Sequence, residues 1–174
     1  MPLLASQAII DAFNTQVGNE LGASNQYVSI ASHFSEENLE ELSQFFFRQA
    51  EEEREHAMKF VAFILEVGGH VVMPAIEAPP HQFDSAAAAV GAALEWEKTV
   101  TQQIYDLVEL CQGERNHIAL RFLDWFVTEQ LEEVSLMDNL LGIVTRAGED
   151  NLLYVEDYLS RHGVEGGGSV GEGD

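Results

Sequence analysis

Four glutamates and one histidine occupy positions where a helical core calls for hydrocarbon. Read in alternating steps of four and three, one stripe runs Phe13, Val17, Glu20, Ser24, Tyr27, Ala31, Phe34. A second runs Leu42, Phe46, Gln49, Glu53, His56, Phe60, Phe63, Val67. The third is Val90, Leu94, Glu97, Thr101, Ile104, Val108, Cys111, and the fourth Leu123, Phe126, Gln130, Glu133, Met137, Leu140, Val144. Apolar residues recurring at that spacing form the inward seam of packed helices. Each seam is interrupted near its middle by an acidic residue. A buried carboxylate without a partner either neutralises or finds a cation. Four at a similar level, with a histidine, predict a metal site.

The remainder of the chain frames those stripes as helices. Residues 6–34 read as a first helix capped by Ser6, and 36–67 as a second capped by Ser35 and stopped by Gly68-Gly69. Pro74, Pro79 and Pro80 make 68–83 an extended connection. Asp84 or Ser85 opens a third helix that ends near Gln112-Gly113, and a fourth runs from about 115 to 146, closed by Gly148. A short amphipathic segment follows over about 150–161. Residues 162–174, mostly glycine from Gly166 onward, read as a disordered tail beyond a single domain of 1–161.

Loop lengths decide the topology. Helices of about thirty residues are roughly 45 Å long. The first and third connections hold only a few residues, so they close antiparallel hairpins. The middle connection, stretched out, reaches roughly 50 Å and can run the length of the bundle. The expected fold is all-α: a four-helix bundle with one long crossover and a short fifth C-terminal helix. Leu152, Leu153, Val155 and Leu159 of that fifth helix are expected to pack against neighbouring subunits, since the bundle closes on itself without them.

Composition removes several functions. With 30 Asp and Glu against 8 Lys and Arg, the net charge of −22 disfavours nucleic acid and anionic membranes as partners. The chain contains no long uninterrupted apolar run and shows no basic-then-apolar leader, so neither a membrane span nor a secretory signal is expected. A lone cysteine, Cys111, on an apolar stripe suits a reducing compartment, and a cytoplasmic location is expected.

Glu53-Arg-Glu-His56 puts a carboxylate and an imidazole on one helical face. Carboxylates with a single imidazole suit redox-active iron better than zinc, whose closed sites favour cysteine and histidine. The set Glu20, Glu53-x-x-His56, Glu97 and Gln130-x-x-Glu133 resembles the ferroxidase centre of non-haem bacterial ferritins. So do the stretches around Trp125–Glu133 and Glu95-Trp-Glu97, and the resemblance covers about 6–161.

The resemblance implies an iron-storage protein that oxidises Fe(II) with dioxygen or peroxide and keeps ferric mineral inside a 24-subunit shell. It implies one iron on Glu20, Glu53 and His56, with Glu53 bridging to a second on Glu97 and Glu133 and Gln130 near it. A third iron would use Glu52, Glu129, Glu132 and the shared Glu133. Tyr27 matches the tyrosine beside the centre, and core packing is the expected role of Trp125. Where bacterioferritins carry a methionine haem ligand this chain has Arg54, so haem is not expected. Animal ferritins line a pore with carboxylates early in the fourth helix, where Leu120 and Leu123 stand here. The alternative is a di-iron peroxidase or oxygenase of the same superfamily on a smaller assembly.

Overall fold

The computed structural model describes residues 3–164. Five α-helices follow one another: α1 (Gln7–Glu36), α2 (Glu40–Glu66), α3 (Ala86–Gly113), α4 (His117–Ala147) and α5 (Leu152–His162). The bundle and its short fifth helix are as expected, with α1 packed along α2, α3 along α4, and α1 also against α3. Of the tail expected over 162–174, His162 is instead the last residue of α5, and 165–174 lie outside the described residues. Among the described residues no helix is long and apolar enough to cross a membrane.

Local chemistry sets the helix ends. Ser6 caps α1, its Oγ accepting from the Ile9 N–H at 3.2 Å, and Ser85 caps α3, accepting from the Ala88 N–H at 3.0 Å. Asn116 does the same for α4. Ser35 does not cap α2: α1 runs on through it to Glu36, and the hairpin turns through Asn38 at φ 61°, a conformation asparagine tolerates. The N-cap of α2 is Leu39, which has no side-chain acceptor. Its exposed amides are met from far along the chain instead. The Glu156 carboxylate on α5 accepts from the Glu41 N–H at 2.7 Å and the Leu42 N–H at 3.0 Å. Glu149, just after α4, accepts from Ala86 and Ala87 at the start of α3. Anionic acceptors suit the positive ends of helix dipoles. Because one short segment reaches both, α2 and α3 start at the same end of the bundle and run parallel.

The crossover between them is stitched to α1. Asn14 donates from Nδ2 to the His70 carbonyl at 3.0 Å and accepts from the Val72 N–H at 2.8 Å. Fifteen residues further along α1, about 22 Å at helical rise, Ser29 Oγ donates to the Pro80 carbonyl. Pro74 seats against Gly18, which leaves the space for it.

The core is two apolar blocks rather than one. The first holds Ile30, Phe34, Phe46, Leu94 and Met137 together with Leu152, Val155 and Leu159 of α5. The second is rich in phenylalanine, with Phe60–Phe126 and Phe63–Phe122 centroids both 4.4 Å apart. Cys111 is buried in the second block. Two expectations are corrected here. Leu152, Val155 and Leu159 are buried within their own chain, where α5 covers the end of the first block, so of the four only Leu153 stays exposed. Trp125 is not a core residue: it is 40% exposed, its ring under the Lys59 ammonium at 4.4 Å.

A Cβ on Gly18 would come within 2.3 Å of Pro74 Cγ, whereas one on Gly22 would meet nothing nearer than Trp96 at 3.4 Å. Gly18→Ala should destabilise the protein by about 1–3 kcal/mol through overpacking. Gly22→Ala should be neutral or stabilising by up to about 1 kcal/mol, because alanine is the better helix former. Denaturant melts of the two variants test this, and equal effects would contradict the crossover's seating.

Candidate metal centre

Between the two apolar blocks lies a polar layer built by one turn from each of the four long helices. Glu20 comes from α1, Glu53 and His56 from α2, Glu97 from α3, and Gln130 and Glu133 from α4. All six are buried, Glu97 completely and none more than 4% exposed. The predicted stripes place them correctly, since the same face of each helix carries the apolar residues on either side.

Ligand atoms of Glu20, Glu53 and His56 lie within 4.8 Å of one another, and so do those of Glu53, Glu97 and Glu133. The two sets share Glu53. Three oxygens have no hydrogen-bond partner although they are buried: Glu20 Oε2, Glu53 Oε1 and Glu133 Oε2. Unpartnered buried carboxylate oxygens in overlapping three-donor sets fit a pair of cations.

The remaining oxygens are held by neutral donors. Tyr27 Oη, fully buried, donates to Glu97 Oε1. Gln130 Nε2 donates to Glu97 Oε2 at 3.2 Å and lies 3.2 Å from Thr101 Oγ1. Gln16 Nε2 donates to Glu20 Oε1 at 2.9 Å. His56 sets Nδ1 3.3 Å from Glu53 Oε2, while its Nε2 faces Glu129 Oε1 at 3.7 Å. A proton on Nε2 toward Glu129 leaves the Nδ1 lone pair free beside Glu53. The Trp125 ring lies edge-on to His56 at 5.3 Å. Gln16 and Thr101 escaped the sequence reading. Thr101 stood on a stripe as an ordinary packing residue, and Gln16, one turn before Glu20, lies beside the stripe.

Burial dominates the electrostatics. It pushes Glu20 up to about 7, against opposing hydrogen bonds with Gln16 and Glu53. It raises Glu133 to about 9, helped by the charges of Glu97, Glu52, Glu129 and Glu132. Glu53 rises well above the usual carboxylate range through burial and the charges of Glu97, Glu20 and Glu133. Glu97 is also raised by burial, although Tyr27 and Gln130 oppose it. His56 is pushed down to about 4 by burial and by Lys59, so its imidazole is neutral near pH 7. The metal-free cluster therefore holds protons that a bound cation would displace.

The expected third set is also drawn together. Glu52, Glu129, Glu132 and Glu133 line a cleft of about 380 Å³ with Gln49 and Arg48. Glu129 joins His56 and Glu133 in a third group whose ligand atoms lie within 4.8 Å. Gln49 donates to Glu52, and burial raises both Glu52 and Glu129. Leu123 is a core residue, and Arg54 is exposed on the outer face of α2.

Raised carboxyls in the fold give a defined sign to the pH dependence. The contribution of Glu20 and Glu133 is complete below the ordinary glutamate value of 4.5 and is lost as pH rises through about 7 and about 9 respectively. His56 runs the other way, contributing above 6.5 and losing that contribution as pH falls through about 4. The metal-free melting temperature should therefore fall between pH 6 and pH 9, by roughly 2–4 °C per kcal/mol lost. Saturating Zn(II), replacing the shared protons, should remove most of the fall. Calorimetry across that range checks it, and a flat metal-free profile would contradict the protonated cluster.

Comparison with known proteins agrees with this geometry. Residues 10–147 match the family model for the ferritin-like domain. Over 146 residues the chain is 39% identical to Ferritin BfrB of Mycolicibacterium smegmatis, covering 84% of this chain and 80% of that protein. It is 33% identical over 153 residues to the bacterial non-heme ferritin of Staphylococcus aureus, covering 87% and 92%. The fold superposes on the open-pore ferritin of the archaeon Archaeoglobus fulgidus with a TM-score of 0.88 at 35% identity, covering 91% of this chain and 98% of that one. With a buried four-carboxylate layer on a crossover bundle and relatives of this extent, the chain belongs to the ferritin family.

Proposed function

We propose that the protein stores iron and oxidises it on the way in. Two Fe(II) ions are its substrates, one on Glu20, Glu53 and His56, the other on Glu53, Glu97 and Glu133 with Gln130 alongside. What carries this reading is the pair of overlapping donor sets sharing Glu53. Four ionised carboxylates and a neutral imidazole offset the charge of two divalent cations, so the filled layer is electrically neutral. Each Fe(II) gives up one electron, and the two electrons with two protons from solvent reduce dioxygen to hydrogen peroxide. Carboxylate oxygens, being hard donors, stabilise the Fe(III) that results. The phenol of Tyr27 donates to Glu97, which puts an oxidisable side chain in hydrogen-bond contact with that set.

Glu52, Glu129 and Glu132, with Glu133, form a third iron position, reached through the acidic cleft. Haem has no role in this reading, because Arg54 stands where a methionine ligand is needed. The working assembly is a homo-oligomeric shell of 24 copies in the cytoplasm. The alternative, a peroxidase or oxygenase on a smaller assembly, calls for an organic substrate pocket. Phe60 and Phe126 crowd the layer from one side and Phe46 from the other, and the cleft that reaches Glu133 is lined by carboxylates, which suits a cation better than an organic substrate.

Glu53→Ala removes the shared ligand. It should slow Fe(II) oxidation in stopped flow by about 100-fold or more, beyond what losing an outer-shell partner does. Near-normal initial rates in that variant would overturn the assignment. Mass in solution separates the alternatives: a closed shell of 24 copies of the 19.3 kDa chain has a mass of about 460 kDa. A monodisperse dimer would favour the smaller-assembly reading.

A further inference from the structure

The buried amide of Gln16 has a partner for each of its polar atoms. Gln16 is 2% exposed. Its Nε2 donates to Glu20 Oε1 at 2.9 Å and to Gln103 Oε1 on α3 at 3.3 Å, and its Oε1 accepts from Asn19 Nδ2 at 2.9 Å. Those partners settle which way the amide points. Turned over, its carbonyl would face two other oxygens, the Glu20 carboxylate among them. The amide is therefore locked with its donor toward Glu20. With Oε1 so occupied, Oε2 is the Glu20 oxygen that accepts no hydrogen bond from an amide, and Glu20 belongs to one donor set with Glu53 and His56.

Glu97 is held in a comparable way by Tyr27 and Gln130, both neutral donors. Glu53 and Glu133, in contrast, accept no hydrogen bond from an amide or phenol among the described residues, and Glu53 has the His56 ring beside it at 3.3 Å. The centre thus has a braced half, on α1 and α3, and a loosely held half, on α2 and α4. Bracing matters because a carboxylate already in position loses little freedom when a cation arrives.

We infer that Gln16, locked by Gln103 and Asn19, is a positioning residue for Glu20 and sets the affinity of one metal position selectively. This rests on the two-metal reading above. It adds that the Glu20 carboxylate is set before metal arrives and that its orientation comes from outside the ligand set. Asn14 offers an internal contrast. It is a second buried amide on α1, but its two hydrogen bonds go to the crossover backbone.

The test uses Co(II) as the sole probe on the full chain, followed by its visible absorption, which reports coordination without oxidation. The unmodified protein should take up two Co(II) at the buried layer. Gln16→Leu should weaken one of the two by roughly 10- to 100-fold, the range for losing an outer-shell partner, and leave the other within about threefold. Gln103→Leu, which loosens the lock without removing the donor, should weaken the same position by less. It also serves if Gln16→Leu does not fold. Asn14→Leu should lower the melting temperature and leave both affinities unchanged. In Fe(II) oxidation, Gln16→Leu should raise KM far more than it lowers kcat. Unchanged Co(II) binding in both glutamine variants, or equal weakening of both positions, would overturn the inference. Failure of the unmodified protein to bind two Co(II) would instead bring down the two-metal reading on which it rests.

Discussion

Everything in this structure is arranged around negative charge that the chain does not neutralise from within. Among the described residues no lysine or arginine forms an ion pair with Glu20, Glu53, Glu97 or Glu133, and the nearest basic side chain, His56, is held neutral. Carboxylates buried in this way either keep protons or wait for cations. Metal-free, the cluster shares protons and is strained by repulsion. Two divalent cations, in the function proposed, would offset its charge and remove that strain. Cation binding there would hence be linked to stability through the same four residues.

Such a layer is tolerable only because stable packing surrounds it. The phenylalanine-rich block lies on one side, and the block closed by α5 lies on the other. Both are continuous across the helices, so the helices stay in register at the level of the carboxylates even while the carboxylates repel. Hydrogen bonds from Gln16, Tyr27 and Gln130 then fix individual oxygens. Apolar packing sets where the ligands sit, and neutral donors set how they are turned.

The acidity outside the centre has structural uses as well. Glu156 and Glu149 meet the amide ends of α2 and α3, so that two of the chain's many carboxylates tie the C-terminal segment to the start of the crossover half and the hairpin half alike. Glu52, Glu129 and Glu132 gather instead in a cleft leading toward Glu133, where their charges raise its carboxyl further. At the rim of the centre Lys59 is spent on the Trp125 ring rather than on a carboxylate. That leaves the layer without a competing ammonium, while burial, helped by the Lys59 charge, holds His56 neutral.

The four stripes, the hairpins, the crossover and the buried layer of carboxylates were all legible in the sequence, because each depends on helical periodicity and loop length, both local properties. Glu20, Glu53, His56, Glu97, Gln130 and Glu133 fell on stripes whose apolar neighbours fixed their depth, and burial put them together. Three features were not legible. The cap of α2 comes from Glu156, more than a hundred residues away, so reading Ser35 as the cap was reasonable locally and wrong. The apolar face of α5 looked surplus because its own bundle's open end is visible only once the helices are assembled. Trp125, one turn before Glu129, read as core, yet it points to the rim and meets Lys59 from another helix. Periodicity thus determined which residues face inward and at what height. Only the tertiary structure decided which oxygen of each carboxylate is held and which is free, since that depends on donors such as Gln16 and Gln103 converging from different helices at distances no spacing rule encodes.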